Sequence, residues 1–207
     1  MRGPDDTIYI IGGVLDTRAR HLVQPVLDAI ARGCRRVGIG ANALTVAGML
    51  VGVLAAAIVA AGHPVAGFAV LWLSGLIDAA DGTLARLTTP SPLGAILDIT
   101  FDRVVELSMI VALAWLNPEA RLEMVVLAGV IAVAMSLFLS IGAAMQNASV
   151  KSFHYAPGLG ERTEAFICLS LMVLDQAHIV AWTWVFVALI AFTMGQRLLH
   201  VRAATPR

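Results

Sequence analysis

Within a largely apolar chain, residues Asp78 to Asp102 read DAADGTLARLTTPSPLGAILDITFD, and this stretch limits what the chain can fold into more than any other. Its aspartates stand at helical spacings: Asp78 and Asp81 at i, i+3, and Asp98 and Asp102 at i, i+4. On helices, each pair projects from one face. A charged side chain at mid-bilayer costs on the order of 2.5–3.5 kcal/mol even on the lenient insertion scale, so carboxylates gathered at one point require a cation among them. All-oxygen donors favour a hard ion such as Mg2+, Mn2+ or Ca2+ over zinc, and carboxylates on rigid helices leave positions open for substrate phosphates. Arg86, about one turn past Asp81 and Gly82, brings a planar fork suited to phosphate. Gly82 and Ala85 leave the adjoining helix surface bare, so that a flat group can lie against the backbone.

The setting is a membrane. Of 207 residues, 59% are apolar and only 14% charged, which places the chain in the membrane class before any motif is read. Cys34 and Cys168 are the only cysteines, which supports neither a disulfide framework nor a thiolate metal site. Asp5 and Asp6 precede a short apolar patch, TIYIIGGVL, that lacks the basic start and long core of a signal peptide and reads as retained.

Taken in order, residues 15 to 38 carry apolar side chains at Leu22, Val23, Val26, Leu27, Ile30, Cys34 and Val37, with arginines among the polar positions. That pattern predicts an amphipathic helix lying in the membrane interface, started or bent at Pro25, within an N-terminal segment 1–38. The rest, 39–207, is predicted to be one all-α domain of six transmembrane helices. The first runs from Asn42 to about Ala61, with Gly48 and Gly52 as a close-packing pair. Asn42 and Thr45 stand at its mouth, beside the aspartates. The second runs from about Val65 to Arg86 and the third from about Ser91 to Leu116. The short linker between them, with Pro90 and Pro92, makes them antiparallel neighbours and brings all four aspartates to one depth. The fourth covers about Leu122 to Met145, the fifth about Glu164 to Leu174 with help from the preceding loop, and the sixth about Ile179 to Leu199.

Six spans put both termini on one side. With the N-terminus inside, Arg2, Arg18, Arg20, Arg32, Arg35, Arg36, Arg86, Lys151, Arg162, Arg197, Arg202 and Arg207 fall at or near that side, against Arg121 outside. The positive-inside rule then turns the aspartates toward the cytoplasm. A cation or proton conduit also gathers intramembrane carboxylates, so a divalent-cation transport protein is the alternative reading. It has no use for the Gly82, Ala85 and Arg86 spacing.

D-x2-D-G-x2-A-R followed by G-x3-D-x3-D, on Asp78, Asp81, Gly82, Ala85, Arg86, Gly94, Asp98 and Asp102, resembles the signature of the CDP-alcohol phosphatidyltransferases. Seven residues separate Arg86 from Gly94, where that family usually has eight. NALTVAG in the first span looks like the family's N-x-L-T-x-x-G pattern, and KSFHYAPGLGERTE resembles the fourth-to-fifth loop of a bacterial subgroup. The resemblance covers roughly residues 35 to 200. It implies a six-helix inner-membrane enzyme of phospholipid synthesis, commonly a homodimer, that transfers a phosphatidyl group from a CDP-linked lipid to an alcohol and releases CMP. Its partners would be the two substrates and the bilayer, with no nucleic acid.

Carried over by position, the resemblance makes Asp78, Asp81, Asp98 and Asp102 ligands of one or two Mg2+ or Mn2+ ions, with Asp102 also the general base. Gly82 and Ala85 would face the cytidine and Arg86 the pyrophosphate, with Asn42 and Thr45 completing the CDP-substrate set. Lys151, Arg162 and Arg197, near the cytoplasmic ends of the last three spans, form a candidate pocket for a phosphorylated acceptor such as glycerol 3-phosphate or inositol phosphate. Positive-inside topology and headgroup contact account for the same three cations equally well. His154 and Tyr155 are further headgroup candidates. Arg103 and Glu106 on the third span are expected to pair.

Overall fold

The computed structural model describes residues 24–88, 91–147 and 162–204, and among them no strand occurs. A first helix, α1, covers 24–36. It is followed by α2 (Ala41–Ala60), α3 (Pro64–Leu87) and α4 (Pro92–Leu116), then α5 (Arg121–Asn147), α6 (Arg162–Leu174) and α7 (Ile179–Ala204). Short 3-10 turns at Pro118–Ala120 and Gln176–His178 lead into α5 and α7. The chain divides into two compact units, one holding α1 to α4, the other holding α5, α7 and most of α6.

In the first unit α2 is the spine, packed against both α3 and α4. Its glycines permit this. A Cβ on Gly52 would lie 2.5 and 2.6 Å from the Val105 methyls of α4 and 2.8 Å from Ser74 Oγ of α3, so only a bare backbone fits there. Gly67 of α3 returns the contact, since a Cβ on it would run into Val59 Cγ2 and lie 3.0 Å from the Ala55 carbonyl oxygen. Ser74 Oγ, fully inside, donates to the Gly48 carbonyl oxygen at 2.7 Å. That bond satisfies a polar group which hydrocarbon would leave unpaired. Leu71 and Leu84 of α3 and Met109 and Leu113 of α4 are fully buried.

The turns follow from local chemistry. Gly62, at φ +85°, ends α2 in the left-handed region, and His63 N donates back to the Ile58 carbonyl oxygen at 3.2 Å. Between α3 and α4, Thr88 closes the first helix by bonding the Leu84 carbonyl oxygen, and Ser91 caps the second by accepting from Gly94 N at 3.0 Å, with Pro92 opening it. The two helices run antiparallel, since α2 meets α3 head to tail, Gly48 at Asp78 and Val59 at Gly67, but α4 in parallel, Asn42 at Gly94 and Gly52 at Val105. In the second unit α5 packs along α7, around Met124, Leu127, Ile131, Phe186 and Ile190.

Four segments are long and apolar enough to cross a membrane: Ala41–Ala60, Pro64–Leu87, Pro118–Met145 and Gln176–Ala203. The chain is an integral membrane protein by this measure, and its outward Leu50, Val111, Trp115, Leu122 and Val125 present apolar surface as lipid-facing helices do. The six-span expectation is met by four at this level, and the other two helices fall short for different reasons. α4 has 25 residues but carries Asp98, Asp102, Arg103 and Glu106, so its composition is that of a site helix. α6 has 13 residues, a rise of roughly 20 Å, less than the hydrocarbon thickness. Of the amphipathic stretch 15–38, the described part is helical over 24–36, with Leu27 and Ala31 buried and Arg32, Arg35 and Arg36 exposed.

Candidate active site

α3 and α4, each packed on α2, bring Asp78 opposite Asp98 and Asp102. One carboxylate oxygen from each of the three lies within 4.8 Å of the others. Oxygens sharing a hard divalent ion at about 2.0–2.6 Å stand within about 4–5 Å of one another, so the donor set fits such an ion in both spacing and chemistry. The i, i+4 spacing puts both α4 carboxylates on one face, and the shared packing on α2 brings Asp78 to them.

Asp81 lies outside this cluster. It is buried, 5% exposed, and three residues on a helix turn its side chain about 60° from that of Asp78. The structure thus brings together three of the four aspartates that the spacing placed at one point.

Arg86 occupies the last turn of α3, where a cation also suits the helix dipole. Its Nη2 donates to Thr83 Oγ1 at 2.9 Å, and Thr83, buried, donates in turn to the Ala79 carbonyl oxygen at 3.2 Å. A Cβ on Gly82 would sit 3.7 Å from Arg86 Nη1, so the guanidinium lies over the bare helix surface at Gly82. Ala85 is half-buried beside it. The sequence pattern assigns Thr83 no role. Its i, i+3 spacing to Arg86 is the one signal that points to the bond.

Asn42 reaches the site helix. A Cβ on Gly94 would be 3.0 Å from Asn42 Oδ1, so the start of α2 stands against the first turn of α4, one turn before Asp98. Thr45 is buried a turn further in, its hydroxyl donating to the Ala41 carbonyl oxygen at 3.0 Å. Arg103 and Glu106 form the expected ion pair on α4, with Glu106 buried.

The acceptor candidates are less fully described. Lys151, His154 and Tyr155 lie outside the described residues. Arg162 opens α6, and only its backbone is described. Arg197 belongs to α7, in the unit it shares with α5, where its guanidinium carbon sits 5.1 Å from the centre of the Phe138 ring.

The sequence profile of a family described as CDP-alcohol phosphatidyltransferase matches residues 39–195. The chain is 30% identical to the inner membrane protein YnjF of Escherichia coli (strain K12), over 89% of this chain and 94% of that one. It is 31% identical to the archaetidylinositol phosphate synthase of Methanothermobacter thermautotrophicus, over 88% of this chain and 89% of that one. Its fold resembles the crystal structure of Mycobacterium tuberculosis phosphatidylinositol phosphate synthase (PgsA1) with CDP-DAG bound, at a TM-score of 0.73 and 24% identity, covering 88% of this chain and 98% of that one. The same protein in complex with manganese and citrate matches at a TM-score of 0.72 and 23% identity, covering 87% and 92%.

Proposed function

Because the chain belongs to the CDP-alcohol phosphatidyltransferase family, whose profile spans most of its length, we propose that it transfers a substituted phosphate from a CDP-linked lipid to a phosphorylated polyol at the α3–α4 site. The observation that carries this reading is the convergence of Asp78, Asp98 and Asp102 within 4.8 Å beside the Arg86 turn. The lipid donor is CDP-diacylglycerol or a close analogue, as CDP-DAG is the ligand of the fold relative. The acceptor is inositol phosphate or glycerol 3-phosphate. The names of two relatives, both inositol phosphate lipid synthases, favour the first.

Asp78, Asp98 and Asp102 would hold the divalent metal, Mg2+ or Mn2+, and Asp81, buried outside their cluster, is kept as a ligand on the signature alone. Bound there, the ion neutralises charge on the donor's pyrophosphate. The protein's own groups do the rest. Arg86 clamps the pyrophosphate, and Gly82 and Ala85, the small residues beside it, face the cytidine, with Asn42 and Thr45 lining the α2 side. Asp102 accepts the proton of the acceptor hydroxyl as that oxygen attacks the phosphorus bearing the lipid. The P–O bond to CMP breaks, CMP leaves with the electron pair, and the proton passes to solvent. The acceptor's phosphate is assigned to Lys151, Arg162 and Arg197 on their charge and place in the sequence alone.

Around this centre, 39–207 forms the catalytic domain of six spans, with α4 and α6 completing the four apolar ones, and 1–38 contributes the interfacial helix. The distribution of Lys and Arg turns the site to the cytoplasm. The enzyme works as a homodimer, in keeping with the family. Removal of divalent metal by chelation is expected to abolish CMP release, and added Mg2+ or Mn2+ to restore it. Turnover indifferent to full chelation would remove the metal assignment.

A further inference from the structure

We propose that Thr83 is a positioning residue for the donor's pyrophosphate, acting through Arg86; this rests on the reading of Arg86 as the pyrophosphate's partner. An arginine in the last turn of a helix has four side-chain torsions and can reach past the helix end into water. Here it is drawn back along α3, toward the level of the aspartates. Two features do this. The Thr83 hydroxyl gives its proton to the Ala79 carbonyl oxygen at 3.2 Å, which leaves its lone pairs for the guanidinium, and Arg86 Nη2 donates to them at 2.9 Å. Gly82 leaves the helix surface bare, so that Nη1 rests 3.7 Å from where a Cβ would stand.

Thr83 is 3% exposed, held by the packing of α3, and so is a fixed anchor for a side chain that is otherwise exposed. A guanidinium has five N–H donors in a rigid fork, and one bond to Thr83 leaves the others for phosphate oxygens. Thr83 therefore presents the fork before the donor arrives. Without it, the cost of ordering a flexible arginine falls on binding, which amounts to about three- to tenfold in affinity.

The test is equilibrium binding of CDP-diacylglycerol, with Mg2+, to the full-length protein in detergent. Thr83→Val removes the acceptor at nearly constant shape, Thr83→Ala removes it should valine disturb the helix, and Thr83→Ser retains it. The expected result is a Kd weakened about three- to tenfold in the two hydroxyl-free variants and within about twofold of the parent in Thr83→Ser. In an Arg86→Ala background, Thr83→Val should add nothing further, which a merely structural role would not produce. If Arg86→Ala binds the donor as tightly as the parent, the Arg86 reading fails and takes this inference with it. If Arg86→Ala weakens binding but both hydroxyl-free variants bind normally, or weaken binding as much without Arg86 as with it, the Thr83 inference alone is overturned.

Discussion

At the residue scale, the base role proposed for Asp102 is the assignment most open to test. Replacing its carboxylate by an amide keeps the shape and an oxygen donor but removes the proton acceptor. Asp102→Asn is expected to leave folding intact and donor binding within a few-fold, while CMP release falls by about 10²–10⁴. Near-normal turnover in that variant would take Asp102 out of the base role. The residue scale is also where the sequence was most and least readable. The i, i+4 relation of Asp98 and Asp102 on one helix is set by the helix itself, and the three-carboxylate cluster contains both. The i, i+3 relation of Asp78 and Asp81 leaves the two side chains about 60° apart, and the neighbouring helices decide which of them turns toward α4. Asp78 joins the cluster and Asp81 is buried outside it. The Thr83–Arg86 bond was invisible for a related reason, since a side-chain rotamer, not a spacing, makes it.

At the scale of the element, the site depends on how closely α2 lets α3 and α4 approach. The Gly48/Gly52 pair was readable as a packing motif. Which helices it serves was not, because that requires the crossing itself. Gly52 is the tight point, facing Val105 and Ser74 together, whereas a Cβ on Gly48 would make only ordinary contacts from 3.4 Å outward. Gly52→Ala is therefore expected to destabilise the protein by about 1–3 kcal/mol through overpacking, read as a lower thermal midpoint in detergent, and to reduce turnover by shifting the aspartates. Gly129→Ala, where nothing lies within 4 Å of the added carbon, is the control and should leave turnover unchanged and the midpoint no lower. Equal behaviour of the two variants would show that the crossing does not hold the site. The antiparallel α3–α4 turn was legible from Pro90 and Pro92. Charge on α4 and shortness in α6 kept those two from registering as simple spans, since one helix carries the site and the other is only 13 residues long.

For the whole molecule the account makes two claims, an orientation and a reaction. With Cys34 and Cys168 replaced by alanine, a single cysteine at His63, in the turn between α2 and α3, should react with an impermeant maleimide on intact cells. One at Val37, between α1 and α2, should react only after lysis. The reverse pattern would place the aspartates on the outer face. The reaction is the central claim, and it also separates a transferase from a cation carrier, which has no need of Arg86. The most direct measurement is CMP release by the purified protein given CDP-diacylglycerol and Mg2+ or Mn2+, against glycerol 3-phosphate, inositol phosphate, inositol, serine and water. The account predicts release stimulated by one of the two phosphorylated polyols. Absence of release with every acceptor, together with no metal-dependent binding of the CDP-lipid and with divalent-cation flux into protein-containing liposomes, would contradict it.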